Sequence, residues 1–325
     1  MQATAVRIHS QGGPEVLRVE SIDVTDPGPG EVLVRNTAIG LNYQDIYHRS
    51  GLYPLPMPSG LGTEAAGVVE QVGAGVTAFQ PGARVCYAGG APGACATFRV
   101  MPAARLIATP QGISDELAAA VLLKGMTVEY LLNRCRPVAR GESVLFYAAA
   151  GGVGLLAGQW GRHLGARMIG VASGRAKVEL ALANGYAECI DRSSEDLAAR
   201  LAELSGGAGF PVVYDSVGKA SFEQSLHALA PRGHFVSFGT TTGAPPPIEA
   251  ATLQKLGSLY FTRPTLVTYT AKAEELQASA AAVFGLLAQG VLKVEIRRRY
   301  VLPDIAQAHR DLEAARTTGS SIIVP

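Results

Sequence analysis

The sequence predicts an α/β protein in which a doubly wound parallel sheet of the Rossmann type is joined to a second, β-rich lobe. Short alternating runs divided by turn residues fill the first third, among them Glu31–Arg35, Gly67–Val72 and Ala83–Tyr87. From about Ser114, alanine- and leucine-rich stretches at helical spacing alternate with short apolar runs. We therefore predict a β-rich domain over 1–123, completed by 265–325, and a parallel-sheet domain over 124–264.

The composition is that of a globular protein without a strong overall electrostatic field. Of 325 residues, 48% are hydrophobic, which allows a sizeable core. The 28 basic and 27 acidic residues leave a formal charge of +1, which does not attract nucleic acid or anionic lipid. Met1–Arg18 lack the apolar run of a signal peptide, and no later stretch has the length of a transmembrane helix. We expect a cytoplasmic protein with a small-molecule partner and neither a nucleic-acid nor a membrane partner.

The cysteines and histidines show no metal-binding pattern. Cys86, Cys95, Cys135 and Cys189 lie far apart, with no CxxC spacing, and the six histidines form no HExxH motif. We expect buried free thiols and no metal site.

The second lobe alternates helical segments with predicted strands. These strands are Ser143–Tyr147, Arg167–Val171, Glu188–Ile190, Val212–Tyr214, His234–Phe238 and Ser258–Phe261. Such alternation predicts a parallel sheet covered on both faces, with a ligand at the carboxyl ends of its strands. Beyond about Tyr269, a long alanine-rich helix, the segment Val291–Tyr300 and a short helix precede Ser321–Val324, which we expect to return to the first lobe.

The first strand of this lobe leads into a phosphate-binding pattern. Ser143–Tyr147 runs directly into AAAGGVG, and the helical segment Leu155–Leu164 follows. Ala149, Gly151 and Gly154 supply a small residue for the turn, a glycine for close approach of a pyrophosphate, and a glycine for helix packing. The free N–H groups of the helix would face the phosphates. The pattern predicts a dinucleotide cofactor.

The end of the second strand favours NADP over NAD. An acidic residue at this point would bind a free ribose 2′-hydroxyl, but the chain carries Ser173, Arg175 and Lys177 instead. A hydroxyl and two cations suit a 2′-phosphate. The alternative is that Arg175 and Lys177 form an ordinary solvated helix start.

Further motifs are spread over the whole chain. They are NYQDIYHRSGLYP at 42–54, PSGLGTEAAGVV at 58–69, LKGMTV at 123–128, the AAAGGVG turn and VYDSVG at 213–218. Together they resemble zinc-free NADPH:quinone oxidoreductases, the zeta-crystallin-like branch of the medium-chain dehydrogenase/reductase superfamily. The likeness extends from GGPEVL at 12–17 through FTRP at 261–264 to GSSIIVP at 319–325. It implies a GroES-like first lobe and NADP(H) as cofactor.

The same resemblance shows where zinc ligands are missing. Zinc-dependent alcohol dehydrogenases of the superfamily carry an early cysteine ligand and a Gly-His-Glu motif, whereas this chain has Asn42 and Gly-Thr-Glu at 62–64. No four-cysteine loop follows Cys86. Without a Lewis acid, the acceptor should already be electron-poor, as quinones and activated enones are.

The resemblance also implies which residues contact the ligands. Asn42, Tyr47 and Tyr53 would line the nicotinamide and substrate cleft as catalytic candidates, and Asn42 and Tyr47 would contact the cofactor as well. The other cofactor-binding positions would be Lys124, Thr127, Ala150, Gly151, Gly152, Val153, Gly154, Ser173, Arg175, Lys177, Arg192, Ser216, Phe238, Gly239 and Arg263. Arg192 stands where relatives often have a tyrosine, and it would add a cation for the 2′-phosphate.

Structural roles are the alternative for several of these residues. Tyr47 and Tyr53 could pack the lobe with solvated hydroxyls, and Asn42 could be a turn residue. We interpret His48 and Arg49 as surface residues. Hydride transfer to a quinone depends mainly on the placement of two flat rings, so we expect neither tyrosine to be essential.

Two other functions remain open at this point. A 2-enoyl or enone reductase would share the fold, the cofactor and the absence of zinc. An NADPH-linked RNA-binding protein without turnover is the alternative of another class, although the balanced charge disfavours it. The apolar segment Leu256–Phe261, at the predicted free edge of the sheet, suggests a homodimer.

Overall fold

The chain divides into two compact units in the computed structural model, which describes residues 1–325. Unit 1 comprises 1–126, 270–285 and 294–325, and unit 2 comprises 127–269 and 286–293. The predicted boundaries placed 124–126 with the parallel sheet, and 265–269 and 286–293 with the β-rich lobe. Two of the boundaries fall inside helices, where a change in composition gives no signal.

The elements up to the first long helix are mostly strands. They are β1 (Gln2–Ile8), β2 (Arg18–Asp23), β3 (Glu31–Gly40), α1 (Tyr43–Ser50), β4 (Ser59–Gly60), β5 (Glu64–Val72), β6 (Arg84–Ala88), β7 (Phe98–Pro102), β8 (Ile107–Ala108) and α2 (Asp115–Tyr130). A π-helical turn, Leu131–Cys135, continues α2. Short 3₁₀ turns occur at Pro14–Val16, Ala103–Arg105 and Leu302–Asp304.

The central segment alternates strands and helices, as predicted. Its elements are β9 (Ser143–Tyr147), α3 (Gly152–His163), β10 (Arg167–Ala172), α4 (Arg175–Ala183), β11 (Glu188–Asp191), α5 (Leu197–Leu204), β12 (Phe210–Asp215), α6 (Phe222–His227), β13 (Leu229–Ser237), α7 (Ala250–Lys255), β14 (Tyr260–Thr262) and α8 (Leu266–Tyr269). The last segment contains α9 (Ala273–Ala288), β15 (Ile296–Val301), α10 (Ile305–Glu313) and β16 (Ser320–Val324).

Unit 1 is built on two sheets. One has the order β2-β1-β4, and the other has the order β15-β16-β3-β5-β6-β8, with β7 also pairing with β3. Strand β16 pairs antiparallel with β3, so the C-terminal segment returns to the first lobe as predicted. Val34, Leu61, Val85 and Ile323 are among the fully buried residues of its core.

Unit 2 contains one six-stranded parallel sheet with the order β11-β10-β9-β12-β13-β14. In terms of sequence order this is 3-2-1-4-5-6, the arrangement of doubly wound dinucleotide-binding sheets. Val144–Tyr147 of β9 are buried without alternation, as expected for a central strand covered on both faces. The order reverses beside β9, which places the ligand-binding crevice at its carboxyl end.

The strand at the edge of this sheet is shorter than predicted. Leu256 is the C-cap of α7, Gly257 turns the chain with φ 106°, and β14 contains only Tyr260–Thr262. The apolar run Leu256–Phe261 therefore divides between a helix end and a strand, because local hydrophobicity does not separate the two. None of the helices is both long and apolar enough to cross a lipid bilayer.

Candidate functional site

The predicted cofactor residues of unit 2 lie at one edge of its sheet. The glycine-rich turn follows β9, Ser173 follows β10 and Arg192 follows β11. Ser216 follows β12, Phe238 follows β13 and Arg263 follows β14. Residues from six separate segments thus meet at the carboxyl ends of the strands, where open parallel sheets bind ligands.

The turn after β9 has the geometry of a phosphate-binding loop. Ala148 adopts a left-handed conformation with φ 55°, and the N–H of Gly151 donates to its carbonyl oxygen at 2.9 Å. Helix α3 begins at Gly152 rather than at the predicted Leu155, so the free N–H groups of its first turn belong to the loop. A Cβ atom on Gly154 would lie 2.3 Å from the Ala148 oxygen, so only glycine fits there. Residues 150–154 are therefore all in the loop or in the first turn of the helix.

A pocket of about 350 Å³ opens beside this loop in unit 2. Its lining residues are Tyr147, Ser173, Arg192, Ser193, Leu197, Ala220, Ser221 and Gln224. Ala172 and Asp191 pair at the ends of β10 and β11, which brings the next residues together. The Arg192 Nε donates to Ser173 Oγ at 2.7 Å. The predicted Ser173 and Arg192 therefore form one polar wall of the pocket.

Arg175 and Lys177 start helix α4. Arg175 is highly exposed and pairs with Glu179 one turn along the helix, with 2.7 Å between Nε and Oε1. Lys177 is half-buried in the same first turn. Arg175 is thus solvated, and an exposed ion pair of this kind contributes little, so it does not hold the guanidinium away from a phosphate.

Asp191 is an acid near this wall that the motif search did not identify. Its Oδ1 accepts the Gly174 N–H at 2.8 Å and the Ser193 N–H at 3.0 Å. The Ser193 hydroxyl, followed by these backbone N–H groups, lowers the pKa of Asp191 to about 2. The carboxylate is thus used to shape the loop after β10, where the ribose acid of an NAD site would otherwise stand.

A buried carboxylate, that of Asp215, contacts Ser221, one of the residues that line the pocket. Asp215 accepts hydrogen bonds from the hydroxyls of Ser221 and Ser225, each at 2.6 Å. The Tyr147 hydroxyl is buried and has no hydrogen-bond partner. Burial raises the pKa of Tyr147, and the nearby Ser225 hydroxyl opposes part of that rise. No sequence motif marked Tyr147, because its role depends on which face of β9 it occupies.

Ser216, Phe238 and Gly239 are held together by the backbone. The Phe238 N–H donates to the Asp215 carbonyl oxygen at 2.8 Å. A Cβ atom on Gly239 would lie 2.7 Å from the Ser216 oxygen, so glycine permits this close approach. Arg263 is half-buried just beyond β14.

Unit 1 places the predicted tyrosines in an aromatic cluster on and after α1. The Tyr47 ring lies 5.1 Å from that of Tyr53 and 5.3 Å from that of Tyr43, measured between centroids. The His48 ring lies 5.7 Å from Tyr53. Burial, followed by the charge of Tyr47, raises the pKa of Tyr43 to about 12. Tyr43 was not predicted, and its helical spacing from Tyr47 was the available signal.

Asn42 is the N-cap of α1, and its side chain contacts a residue that the sequence analysis passed over. Asn42 Nδ2 donates to Glu64 Oε2 at 2.7 Å. Lys124 Nζ lies 3.4 Å from the same oxygen. Asn42, Glu64 and Lys124 are all buried in unit 1, whereas Thr127, on the same helix as Lys124, is buried in unit 2.

Asp45 lies beside this group in the first turn of α1. Its Oδ2 accepts the Asn42 backbone N–H at 3.0 Å, while its Oδ1 is buried without a partner. Burial raises the pKa of Asp45 to about 7, and the negative charge of Glu64 adds to the rise.

His48 and Arg49 are buried, so their interpretation as surface residues was wrong. Both Arg49 amino groups bind the Glu313 carboxylate, at 2.5 and 3.1 Å, and its Nε donates to the Gly12 oxygen at 3.1 Å. The cause is tertiary: α10, far along the chain, packs over the polar side of α1.

The cysteines are all free, as expected. Cys86 and Cys95 are buried, and Cys135 and Cys189 are partly buried. No group of three or more His, Cys, Asp or Glu side chains is arranged to hold a metal ion.

Two family models match the chain. The model described as an alcohol dehydrogenase GroES-like domain covers residues 28–132. The model described as a zinc-binding dehydrogenase covers residues 152–283. With the parallel sheet of unit 2, these matches confirm the predicted fold class.

Similar proteins match over their whole length. A quinone oxidoreductase from Pseudomonas aeruginosa is 49% identical over 99% of this chain and 100% of its own. The crystal structure of an Escherichia coli quinone oxidoreductase complexed with NADPH has a TM-score of 0.97 and 46% identity, and the match covers 99% of this chain and 100% of that one. A 2-haloacrylate reductase from Burkholderia is 40% identical over 99% of this chain and 98% of its own.

Proposed function

Since the chain belongs to the zinc-free quinone oxidoreductase family of the medium-chain dehydrogenase/reductase superfamily, we propose that it transfers hydride from NADPH to quinones. The observation that carries this proposal is the polar wall of the unit 2 pocket, where Ser173 and Arg192 share the lining with Tyr147, the residue just before the phosphate-binding loop. A cation and a hydroxyl fit the 2′-phosphate that distinguishes NADPH from NADH.

Different residues of unit 2 bind different parts of the cofactor. The N–H groups of 150–154 bind the pyrophosphate at the positive end of α3. Arg192 and Ser173 bind the 2′-phosphate, joined by Lys177 and by Arg175 after it leaves Glu179. Ser216, Phe238, Gly239 and Arg263 follow the strands on the other side of β9, and we assign them to the nicotinamide end together with Thr127.

NADPH, when bound, supplies the hydride, and the unit 1 side chains present the acceptor. Aromatic faces stack on flat, electron-poor rings, so Tyr43, Tyr47 and Tyr53 suit a quinone. With its pKa raised to about 12, the Tyr43 hydroxyl stays protonated at neutral pH and donates hydrogen bonds. Asn42 and Lys124 offer an amide and an ammonium to the nicotinamide end.

Quinones are favoured over activated alkenes as acceptors. Identity to the quinone oxidoreductase of Pseudomonas aeruginosa is 49%, against 40% to the 2-haloacrylate reductase. RNA binding finds no support in a formal charge of +1. A cytoplasmic location and a homodimer formed through β14 belong to the same proposal.

The test is a comparison of acceptors and cofactors. We expect the protein to oxidise NADPH with a benzoquinone or a naphthoquinone faster than with 2-haloacrylate or an enoyl thioester, and NADH to support a lower kcat/KM. We also expect the double variant Tyr47→Phe, Tyr53→Phe to slow quinone reduction only modestly. Faster turnover with the enoyl thioester, or no heat of NADPH binding in calorimetry, would refute the proposal.

A further inference from the structure

The Glu64 carboxylate joins three separate segments of unit 1. It is the first residue of β5, and its side chain has no exposure to solvent. Oε1 accepts the Leu123 N–H at 2.6 Å, and Oε2 accepts Asn42 Nδ2 at 2.7 Å. Lys124 Nζ lies 3.4 Å from Oε2. The contacts therefore come from the start of α1 and from α2, which follow different strands of the sheet.

The surrounding backbone is shaped to admit this carboxylate. A Cβ atom on Gly40, at the end of β3, would lie 2.1 Å from Glu64 Oε2 and 2.4 Å from the Ala119 oxygen. Any other residue at this position would displace the carboxylate or α2. A buried carboxylate is costly unless it is paired and fully hydrogen-bonded, and here an ammonium, an amide and a backbone N–H satisfy it.

These contacts restrict two of the cofactor residues predicted in unit 1, Asn42 and Lys124. A carboxylate only accepts hydrogen bonds, so the Asn42 amide must turn its nitrogen toward Glu64 and its oxygen away. Glu64 Oε2 also accepts the contact from Lys124 Nζ at 3.4 Å, which fixes where the ammonium lies. Without Glu64, the amide could flip and a buried ammonium would face only Asp45 and neutral groups.

We propose that Glu64 is the positioning residue for the nicotinamide end of the cofactor, acting through Asn42 and Lys124. The inference rests on the proposed function, because that is what assigns these two residues to the cofactor. Glu64 itself touches neither ligand. It sets the direction of one acceptor, the Asn42 oxygen, and the position of one donor, the Lys124 ammonium. Both match a carboxamide and ribose hydroxyls.

The test separates the two ends of the cofactor. Glu64→Gln keeps the shape of the side chain but turns an NH₂ group toward one of its three donors. We expect NADPH affinity and kcat for quinone reduction to fall about tenfold each, while affinity for 2′,5′-ADP, which lacks the nicotinamide end, changes less than twofold. Equal losses for NADPH and 2′,5′-ADP, or no loss for either, would overturn the proposal.

A double-mutant cycle tests whether Glu64 acts through Asn42. The Glu64→Gln, Asn42→Ala double variant should lose less NADPH affinity than the sum of the two single losses, because either substitution removes the contact through Asn42 and only the contribution through Lys124 remains to be lost. Additive losses would contradict this. Glu313→Gln is the control, since it neutralises the carboxylate that pairs with the buried Arg49 in unit 1 and should lower stability without changing the ratio of the two affinities.

A second variant and the wild-type activity distinguish a failure of the positioning role from a failure of the proposed function. If Glu64→Gln does not fold, Glu64→Asp carries the test, because it keeps the charge but shortens its reach, and it should show the same selective loss for NADPH. If the wild type reduces no quinone yet the selective loss of NADPH affinity persists, the proposed function fails and the positioning role stands. If the wild type turns over normally and the ratio of affinities does not change, only the positioning role fails.

Discussion

At the scale of single residues, Arg192 carries the prediction with the clearest readout. Its guanidinium is exposed and already oriented by the Ser173 hydroxyl, so binding a 2′-phosphate costs little rearrangement. We expect Arg192→Ala to weaken NADPH binding about tenfold or more, the usual effect of losing a charge-assisted hydrogen bond, and to leave NADH binding nearly unchanged. Isothermal calorimetry with both nucleotides measures this.

Arg162→Ala is the matched control for Arg192. It removes a basic residue from the opposite end of α3 and should not change the affinity for either nucleotide. Equal weakening of NADPH and NADH by Arg192→Ala would show that the residue supports the fold of the loop and not the 2′-phosphate.

The buried His309 should make the stability of the fold sensitive to acid. Burial, followed by the charge of Arg49, lowers its pKa from 6.5 to about 3. Arg49 can only donate, so the neutral ring accepts through Nδ1 at 3.2 Å, and a protonated ring would set two donors against each other. Because the unfolded chain binds the proton more readily, this contribution to stability is complete above about pH 6.5 and is lost as the pH falls toward 3.

The variant His309→Asn keeps an acceptor for Arg49 but does not titrate. The free energy of unfolding of the wild type should therefore fall faster than that of the variant below pH 6.5, with a difference in slope of up to about 1.4 kcal/mol per pH unit. Urea titrations at several pH values measure both. Parallel curves for the two proteins would rule out a neutral buried His309.

At the scale of elements, the turn between β9 and α3 depends on two glycines in different ways. Gly154→Ala would push a methyl group against the Ala148 oxygen, 2.3 Å away, and should cost about 1–3 kcal/mol of stability as well as NADPH affinity. Gly151→Ala meets the same oxygen at 3.2 Å, so the fold should persist while the methyl group blocks the pyrophosphate. Thermal melts with and without NADPH separate the two effects.

Gly285→Ala is the control for this pair. Gly285 lies in α9 with open space around its missing Cβ, so alanine should raise stability by about 0.5–1 kcal/mol. If Gly151→Ala bound NADPH as tightly as the wild type, the loop would not hold the pyrophosphate.

At the scale of the whole molecule, the exposed edge of the unit 2 sheet predicts a dimer. Tyr260 in β14 is 57% exposed, and its ring stacks on that of His234 with 4.5 Å between the centroids. Strand β14 is the last of the sheet and has a neighbouring strand on one side only, as an edge strand does. We expect light scattering to give twice the chain mass of 33.8 kDa, and Tyr260→Asp to give a monomer.

Val301→Asp is the control for the other sheet. Val301 is 51% exposed on β15, an edge strand of the larger sheet of unit 1, and its substitution should leave the dimer intact. If Val301→Asp dissociated the dimer and Tyr260→Asp did not, the interface would lie in unit 1 instead. If the wild type were a monomer, the predicted dimer would be wrong.

The sequence by itself determined the class of the fold and most of the unit 2 site. Alternation of strands and helices predicts a parallel sheet, and in such a sheet every residue that follows a strand lies at the same edge. The order of strands and helices predicted where Ser173 lies, whereas the family resemblance was needed to select Arg192, Ser216 and Phe238, which follow other strands of the same sheet. The AAAGGVG turn was recognisable because its geometry depends on consecutive residues.

Only the tertiary structure decided the unit 1 site. Glu64 is buried because α1 and α2, which are separated by several strands, both donate to it, and Arg49 is buried because Glu313 reaches it from α10. Nothing in the spacing of these residues records such contacts. A charged side chain looks solvated in a sequence, and burial with its partners becomes visible only when distant segments have packed together.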